Sequence, residues 1–215
     1  MAPRYADQTM GTLTEQGRAV IRGVMTPPAR LLLRAKVSPD VVTVVGTIGA
    51  SAVALWFLPR GMFWQATLLV GLFAFFDALD GTMARLSGRP SDWGAFLDST
   101  LDRVTDAAVF VALALYYAQS EPEADVLMVG ACGLALVGSF LVSYARARAE
   151  GLGLRADVGF GERTERLVIL GVFALLAAWR PVFMDVGVWV LAVVAWVTVL
   201  QRMLVVRRQA APRAT

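Results

Sequence analysis

Four aspartates within the stretch DALDGTMARLSGRPSDWGAFLDSTLD, Asp77, Asp80, Asp98 and Asp102, constrain this chain more than any other feature. Apolar sequence borders them on both sides: Phe73-Ala74-Phe75-Phe76 runs straight into Asp77, and Ala107 to Leu115 follows Asp102. An ionised carboxylate at the edge of hydrocarbon is costly unless a cation or a shared proton stabilises it. Asp77 and Asp80 are three residues apart, Asp98 and Asp102 four, so on helices each pair shares a face. Two helical ends joined by a polar, glycine-bearing loop over 81–95 could then hold one or two hard divalent cations. Oxygen ligands suit Mg²⁺, Mn²⁺ or Ca²⁺ rather than zinc. The chain has no histidine and one cysteine, Cys132. An internal disulfide, cysteine-based zinc sites and histidine acid–base chemistry are thereby excluded, and proton transfer falls to Asp, Glu, Lys, Tyr or an arginine-tuned substrate environment.

The mean hydropathy of +0.61 is too high for an ordinary soluble domain. Long apolar runs predict membrane spans over about 41–58, 62–80, 96–118, 126–145, 167–179 and 186–200. Ser38-Pro39 supplies an N-cap and a first-turn proline for the first span. Ahead of it, residues 13–36 alternate basic and apolar positions, which predicts an amphipathic helix on the membrane surface, broken at Pro27-Pro28. The first apolar run begins well inside the chain, so no cleaved signal peptide is expected. The expected fold is therefore an all-α integral membrane protein: six transmembrane helices preceded by an N-terminal amphipathic juxtamembrane helix. Residues 1–37 form the tail and interfacial helix, 38–203 the six-helix catalytic domain and 204–215 a basic C-terminal tail.

With six spans, all of the 20 basic residues except Arg60 and Arg180 fall on one side. The positive-inside rule makes that side cytoplasmic and puts the aspartates at the cytoplasmic face of the cell membrane. Nothing in this pattern suggests a nucleic-acid partner.

Read with its spacing, the stretch is D-x2-D-G-x2-A-R-x8-G-x3-D-x3-D. It resembles the signature of the CDP-alcohol phosphatidyltransferases at all of its fixed positions: Asp77, Asp80, Gly81, Ala84, Arg85, Gly94, Asp98 and Asp102. The six-span layout behind a juxtamembrane helix is similar too. The resemblance implies transfer of a phosphatidyl group from a CDP-linked donor, with CMP leaving. Asp77, Asp80, Asp98 and Asp102 then hold Mg²⁺ or Mn²⁺, two ions in all, that clamp the donor diphosphate. Gly81 lets the backbone approach it, Ala84 leaves room for the nucleotide, and Arg85 offers a planar fork to phosphate. Gly94 lets the third span begin close to the second. Asp102 matches the family's general base for the acceptor hydroxyl. The competing reading pairs the aspartates with Arg85, Arg89 and Arg103, and leaves Asp106, one turn further on, open between support and structural pairing.

The acceptor is argued from the rest of the chain. Arg146, Arg163, Arg166 and Arg202 are expected to line the cytoplasmic mouth, where guanidinium forks suit a phosphate-bearing alcohol; anchoring to anionic lipid is the bland alternative. The pattern S-Y-x-R-A-R-A-E, followed by G-F-x-E-R-x-E-R, resembles the actinobacterial phosphatidylinositol phosphate synthases, which join CDP-diacylglycerol to inositol 1-phosphate. Arg146 stands where a lysine is expected in that group. The resemblance also implies that Ser38, Pro39, Asp40, Val41 and Ser91 contact the CDP-diacylglycerol headgroup, and that the enzyme is a homodimer. The runner-up acceptor chemistry is that of a phosphatidylglycerol phosphate synthase, then of transfer to inositol or serine. A divalent-cation transporter is the reading from another class. It is disfavoured because the aspartates cluster at one membrane face rather than at mid-membrane, where transporter sites lie.

Overall fold

The computed structural model describes residues 23–88, 91–120, 122–160 and 163–210, with Ala74 and Asp77 described by backbone alone. Every element among them is helical. Residues 23–34 form α1. The helix runs through Pro27 and Pro28, where a break was expected. Two adjacent prolines remove only the amides that would reach back to residues 23 and 24, so the loss is confined to the start of the described helix. The expected stretch before residue 23 lies outside the described residues. α1 closes with Lys36 in the left-handed region, φ 60°. Its amide donates to Leu33 O and that of Val37 to Leu32 O, both at 3.0 Å, which satisfies the last carbonyls of the helix.

α2 spans Pro39–Phe57 and is extended by a 3₁₀ turn over Leu58–Arg60. Ser38 caps it as expected, the Val41 amide donating to its Oγ at 3.3 Å. α3 is Phe63–Leu86, α4 Asp92–Ala118, α5 Val126–Glu150, α6 Arg163–Leu176 and α7 Val182–Ala210. The polar loop expected over 81–95 is therefore much shorter. α3 continues through Gly81 and stops at Gly88, whose φ of +65° ends it, while Ser91 starts α4 by accepting the Gly94 amide at 3.0 Å. α7 continues to Ala210, through positions expected to belong to the tail.

Among the described residues, four helices are long and apolar enough to cross a membrane: Pro39–Arg60, α3, α5 and α7. α4 has the length but carries Asp92, Asp98, Asp102, Arg103 and Asp106 within its first fifteen residues. α6 has only 14 residues. Those two departures from the six expected spans have different causes, charge in one and length in the other.

The chain divides into two compact units, Met1–Gly49 with Leu72–Asp102, and Ala50–Gly71 with Arg103–Thr215. In the first, Ala29 of α1 and Val42 of α2 are buried with Leu79 and Met83 of α3. Gly46 and Gly49 of α2 lie against the Phe76 and Phe73 side chains of α3. A Cβ on Gly46 would stand 3.1 Å from Phe76 Cβ, and one on Gly49 would run into the Phe73 ring. In the second unit, Leu113 and Tyr117 of α4 pack with Met128 and Cys132 of α5 and Met184 and Val188 of α7. α5 and α7 approach closely where Gly138 faces Ala195 and Trp196.

Candidate functional site

All four signature aspartates fall in the first unit, two on α3 and two on α4. They lie inside their helices, and α3 runs beyond Asp80 by more than one turn. At about 1.5 Å per residue, Asp80 stands about 4.5 Å along α3 from Asp77, and Asp102 about 6 Å along α4 from Asp98. Asp80 is nearly fully buried, at 6% exposure, and Asp98 and Asp102 are half-buried. The Asp77 side chain lies outside what is described. Among the described side chains no three potential ligands form a cluster, a count into which Asp77 does not enter.

Burying a carboxylate requires donors. Thr43 of α2 is one: its Oγ1 lies 2.5 Å from Asp80 Oδ2 and 3.1 Å from Pro39 O. The bond to the carboxylate is the shorter and is charge-assisted, so it directs the hydroxyl proton. Thr43 thus orients Asp80 from a neighbouring helix, and it is a site residue that the sequence reading missed. The available signal was its place one turn after Pro39, on the face that also carries Gly46.

The other signature residues gather around the same helix ends. Arg85 folds back along α3, donating from Nη2 to Thr82 Oγ1 at 3.0 Å. A Cβ on Gly81 would meet only Arg85 Nη1, at 3.7 Å, so the space beside Gly81 is bounded by a guanidinium rather than by packed side chains. Ala84 is half-buried. Ser91 and Gly94 form the first turn of α4, and a Cβ on Gly94 would come within 3.2 Å of Ser91 Oγ and 3.8 Å of Asp40 Oδ1. Gly94 thus packs tightly on Ser91, with Asp40 of the first span at ordinary contact distance. Pro39, Asp40 and Val41 make the first turn of α2, and Ser38 caps it. Of the arginines offered as competing partners for the aspartates, Arg89 lies outside the described residues.

The second unit holds the arginines. Arg146, Arg163, Arg166 and Arg202 line one cavity of about 330 Å³, together with Arg103 and Glu150. These four arginines, expected from sequence to line the cytoplasmic mouth, share one cavity within this unit. Their individual bonds differ. Arg146 Nε donates to Glu150 Oε1 at 3.0 Å on an exposed stretch of α5. Arg166 is 4% exposed and donates to Asp106 Oδ2 at 2.6 Å. Asp106 is thus buried in an ion pair between α4 and α6. Arg202, 2% exposed, donates from Nη1 to Val142 O at 2.6 Å and from Nε to Val158 O at 3.1 Å. Arg103 was read from sequence only as a partner for the aspartates, yet it contributes to this cavity.

The model of the CDP-alcohol phosphatidyltransferase family matches residues 36–206. A phosphatidylinositol phosphate synthase of Cutibacterium acnes is 45% identical over 205 residues, 91% of this chain and 98% of that protein. One of Streptomyces avermitilis is 44% identical, over 97% of this chain and 88% of that protein. The crystal structure of the Mycobacterium tuberculosis phosphatidylinositol phosphate synthase with CDP-DAG bound superposes with a TM-score of 0.83 at 41% identity, covering 89% of this chain and 98% of that one. The same enzyme in complex with manganese and citrate gives a TM-score of 0.81.

Proposed function

The chain belongs to the CDP-alcohol phosphatidyltransferase family, and on that premise we propose that it transfers the phosphatidyl group of CDP-diacylglycerol to inositol 1-phosphate, giving phosphatidylinositol phosphate and CMP. The observation that carries the acceptor is the 330 Å³ cavity lined by Arg146, Arg163, Arg166 and Arg202, in a chain whose relatives are named for a phosphorylated inositol product. Family membership also sets aside the cation-transporter reading.

The donor set of Asp77, Asp80, Asp98 and Asp102 is entirely carboxylate oxygen, which fits a hard divalent cation, Mg²⁺ or Mn²⁺, as two ions. A cation bound there neutralises the donor diphosphate and improves the leaving group. Thr43 keeps Asp80 in one orientation. The first turn of α2, with Ser38, Pro39, Asp40 and Val41, receives the donor headgroup, as do Gly81, Ala84, Arg85 and Ser91. Gly81 offers close approach and Arg85 a phosphate fork. Asp102 takes the proton from the acceptor hydroxyl. The resulting oxygen attacks the phosphorus nearer the diacylglycerol, its new P–O bond forms as the P–O bond to CMP breaks, and CMP leaves with the electron pair. The arginines hold the acceptor phosphate throughout.

α4 and α6 complete six membrane crossings, with the active site facing the cytoplasm, in the cell membrane, in a homodimer. Purified protein supplied with CDP-diacylglycerol, inositol 1-phosphate and Mg²⁺ should release CMP and form phosphatidylinositol phosphate. Glycerol 3-phosphate, free inositol and serine should each support far less. CMP release as fast with glycerol 3-phosphate would replace this acceptor with the runner-up.

A further inference from the structure

We infer that residues 155–160, in the connection between α5 and α6, form a strap held along one face of α7, and that Gln209 is a positioning residue for the arginine cavity. The bonds form a ladder. Thr198 Oγ1 donates to Phe160 O at 2.6 Å, and Arg202 Nε donates to Val158 O at 3.1 Å. Gln209 then takes both backbone groups of Arg155: the Arg155 amide donates to its Oε1 at 3.0 Å, and its Nε2 donates to Arg155 O at 2.6 Å. The order along the strap is the reverse of that along α7, so the two run antiparallel.

Their lengths agree. From Thr198 to Gln209 α7 rises by about 16.5 Å, and three helical turns keep both ends on one face. From Arg155 to Phe160 an extended chain covers about 16.5 Å at most ordinary spacings. The strap lies close enough that Gly159, at φ +97°, has no room for a side chain: a Cβ would come within 2.9 Å of Gln201 Oε1 and closer still to Thr198. Ala156, within the strap, is fully buried.

Arg202 joins this ladder to the site. The guanidinium that holds Val158 O and Val142 O also lines the cavity. Its direction is set by where the strap holds Val158, and the strap in turn is clamped at its outer end by Gln209. Gln209 is itself exposed and is not among the cavity residues. Exposed hydrogen bonds add little to stability, so a bidentate side-chain clamp on the backbone of one residue at this place serves geometry. The inference rests on the reading of the cavity as the acceptor-phosphate site.

The test uses the full chain in detergent, as wild type, Gln209→Ala and Gln209→Glu. It measures CMP release against both substrates, thermal unfolding, and amide exchange over residues 155–160. Gln209→Ala should raise KM for inositol 1-phosphate about fivefold or more. Its kcat and its KM for CDP-diacylglycerol should stay within about twofold and its Tm unchanged, while exchange of the strap amides speeds up. Gln209→Glu still accepts from the Arg155 amide but cannot donate to its carbonyl, so it should fall between. Faster exchange with an unchanged acceptor KM would overturn the positioning role, and unchanged exchange would overturn the strap. Loss spread over both substrates with a lower Tm would leave Gln209 a purely structural part and overturn the inference as well. If the wild type ignores inositol 1-phosphate but uses another phosphate ester, the acceptor reading alone fails, and the KM comparison is made with that ester.

Discussion

At the scale of single residues, the site depends on oxygen atoms whose orientation is set from outside the signature. Asp80 accepts from Thr43, a residue of another helix. Replacing Thr43 with Val keeps the shape and removes the hydroxyl. The Mg²⁺ concentration for half-maximal activity should then rise about tenfold or more, as for other residues that orient a metal ligand. Thr43→Ser should restore most of it; a metal titration of CMP release reads both. Asp102→Asn should abolish turnover and leave CDP-diacylglycerol binding largely intact, because the amide cannot take the acceptor proton. Retained turnover would remove Asp102 from that role. The aspartates were legible in the sequence because their spacing repeats a helical turn within apolar surroundings. Thr43 was not, since a lone threonine in an apolar run carries no charge, and its place one turn after Pro39 was the one signal it gave. Arg202 shows a different gap. Its place beside the cavity followed from sequence, but its bonds to the carbonyls of Val142 and Val158 come from backbone far away in the chain.

At the scale of elements, helix packing decides what glycine means. The sequence suggested a loop from Gly81 onward, and the helix instead runs to Leu86. A helical glycine costs about 1 kcal/mol relative to alanine, which burial of Leu79 and Met83 on the same helix outweighs. Gly88 does end α3, because its φ of +65° is open to glycine at little cost. On α2, Gly46 and Gly49 are sites of close approach to α3. Gly49→Ala should destabilise the protein by about 1–3 kcal/mol, since the Phe73 ring must move. Phe73→Leu in the same chain should recover part of that loss. Thermal unfolding of the single and double variants in detergent checks the pair; additive losses would show that the two residues do not meet. Most helix positions were legible from apolar periodicity. The ends were not, because caps such as Ser91 on the Gly94 amide look like any other polar residue of a loop.

At the scale of the whole molecule, the open matter is how many helices cross. Among the described residues hydropathy credits four, and α4 fails that measure because Asp102, Arg103 and Asp106 stand within its first fifteen residues. One of the charges that hide this span, Asp102, belongs to the proposed site. Single cysteines in a Cys132→Ala background discriminate between the topologies. With six crossings, Glu123→Cys reacts with a membrane-impermeant thiol reagent on intact cells, and Leu152→Cys reacts only after permeabilisation. With four, the two exchange behaviours. The alternation of basic residues, all but Arg60 and Arg180 on one side, predicts the first result.

If α6 crosses the membrane, as proposed, its 14 residues have a consequence for the lipid around them. A helix of that length rises about 21 Å, against about 30 Å of hydrocarbon in an ordinary bilayer. Either acyl chains next to it compress or the aqueous phase dips to meet its ends. Arg163 opens this helix and also lines the arginine cavity. A dimple in the bilayer at that point would give a water-soluble sugar phosphate a shallow way in, while the greasy substrate arrives sideways from the leaflet.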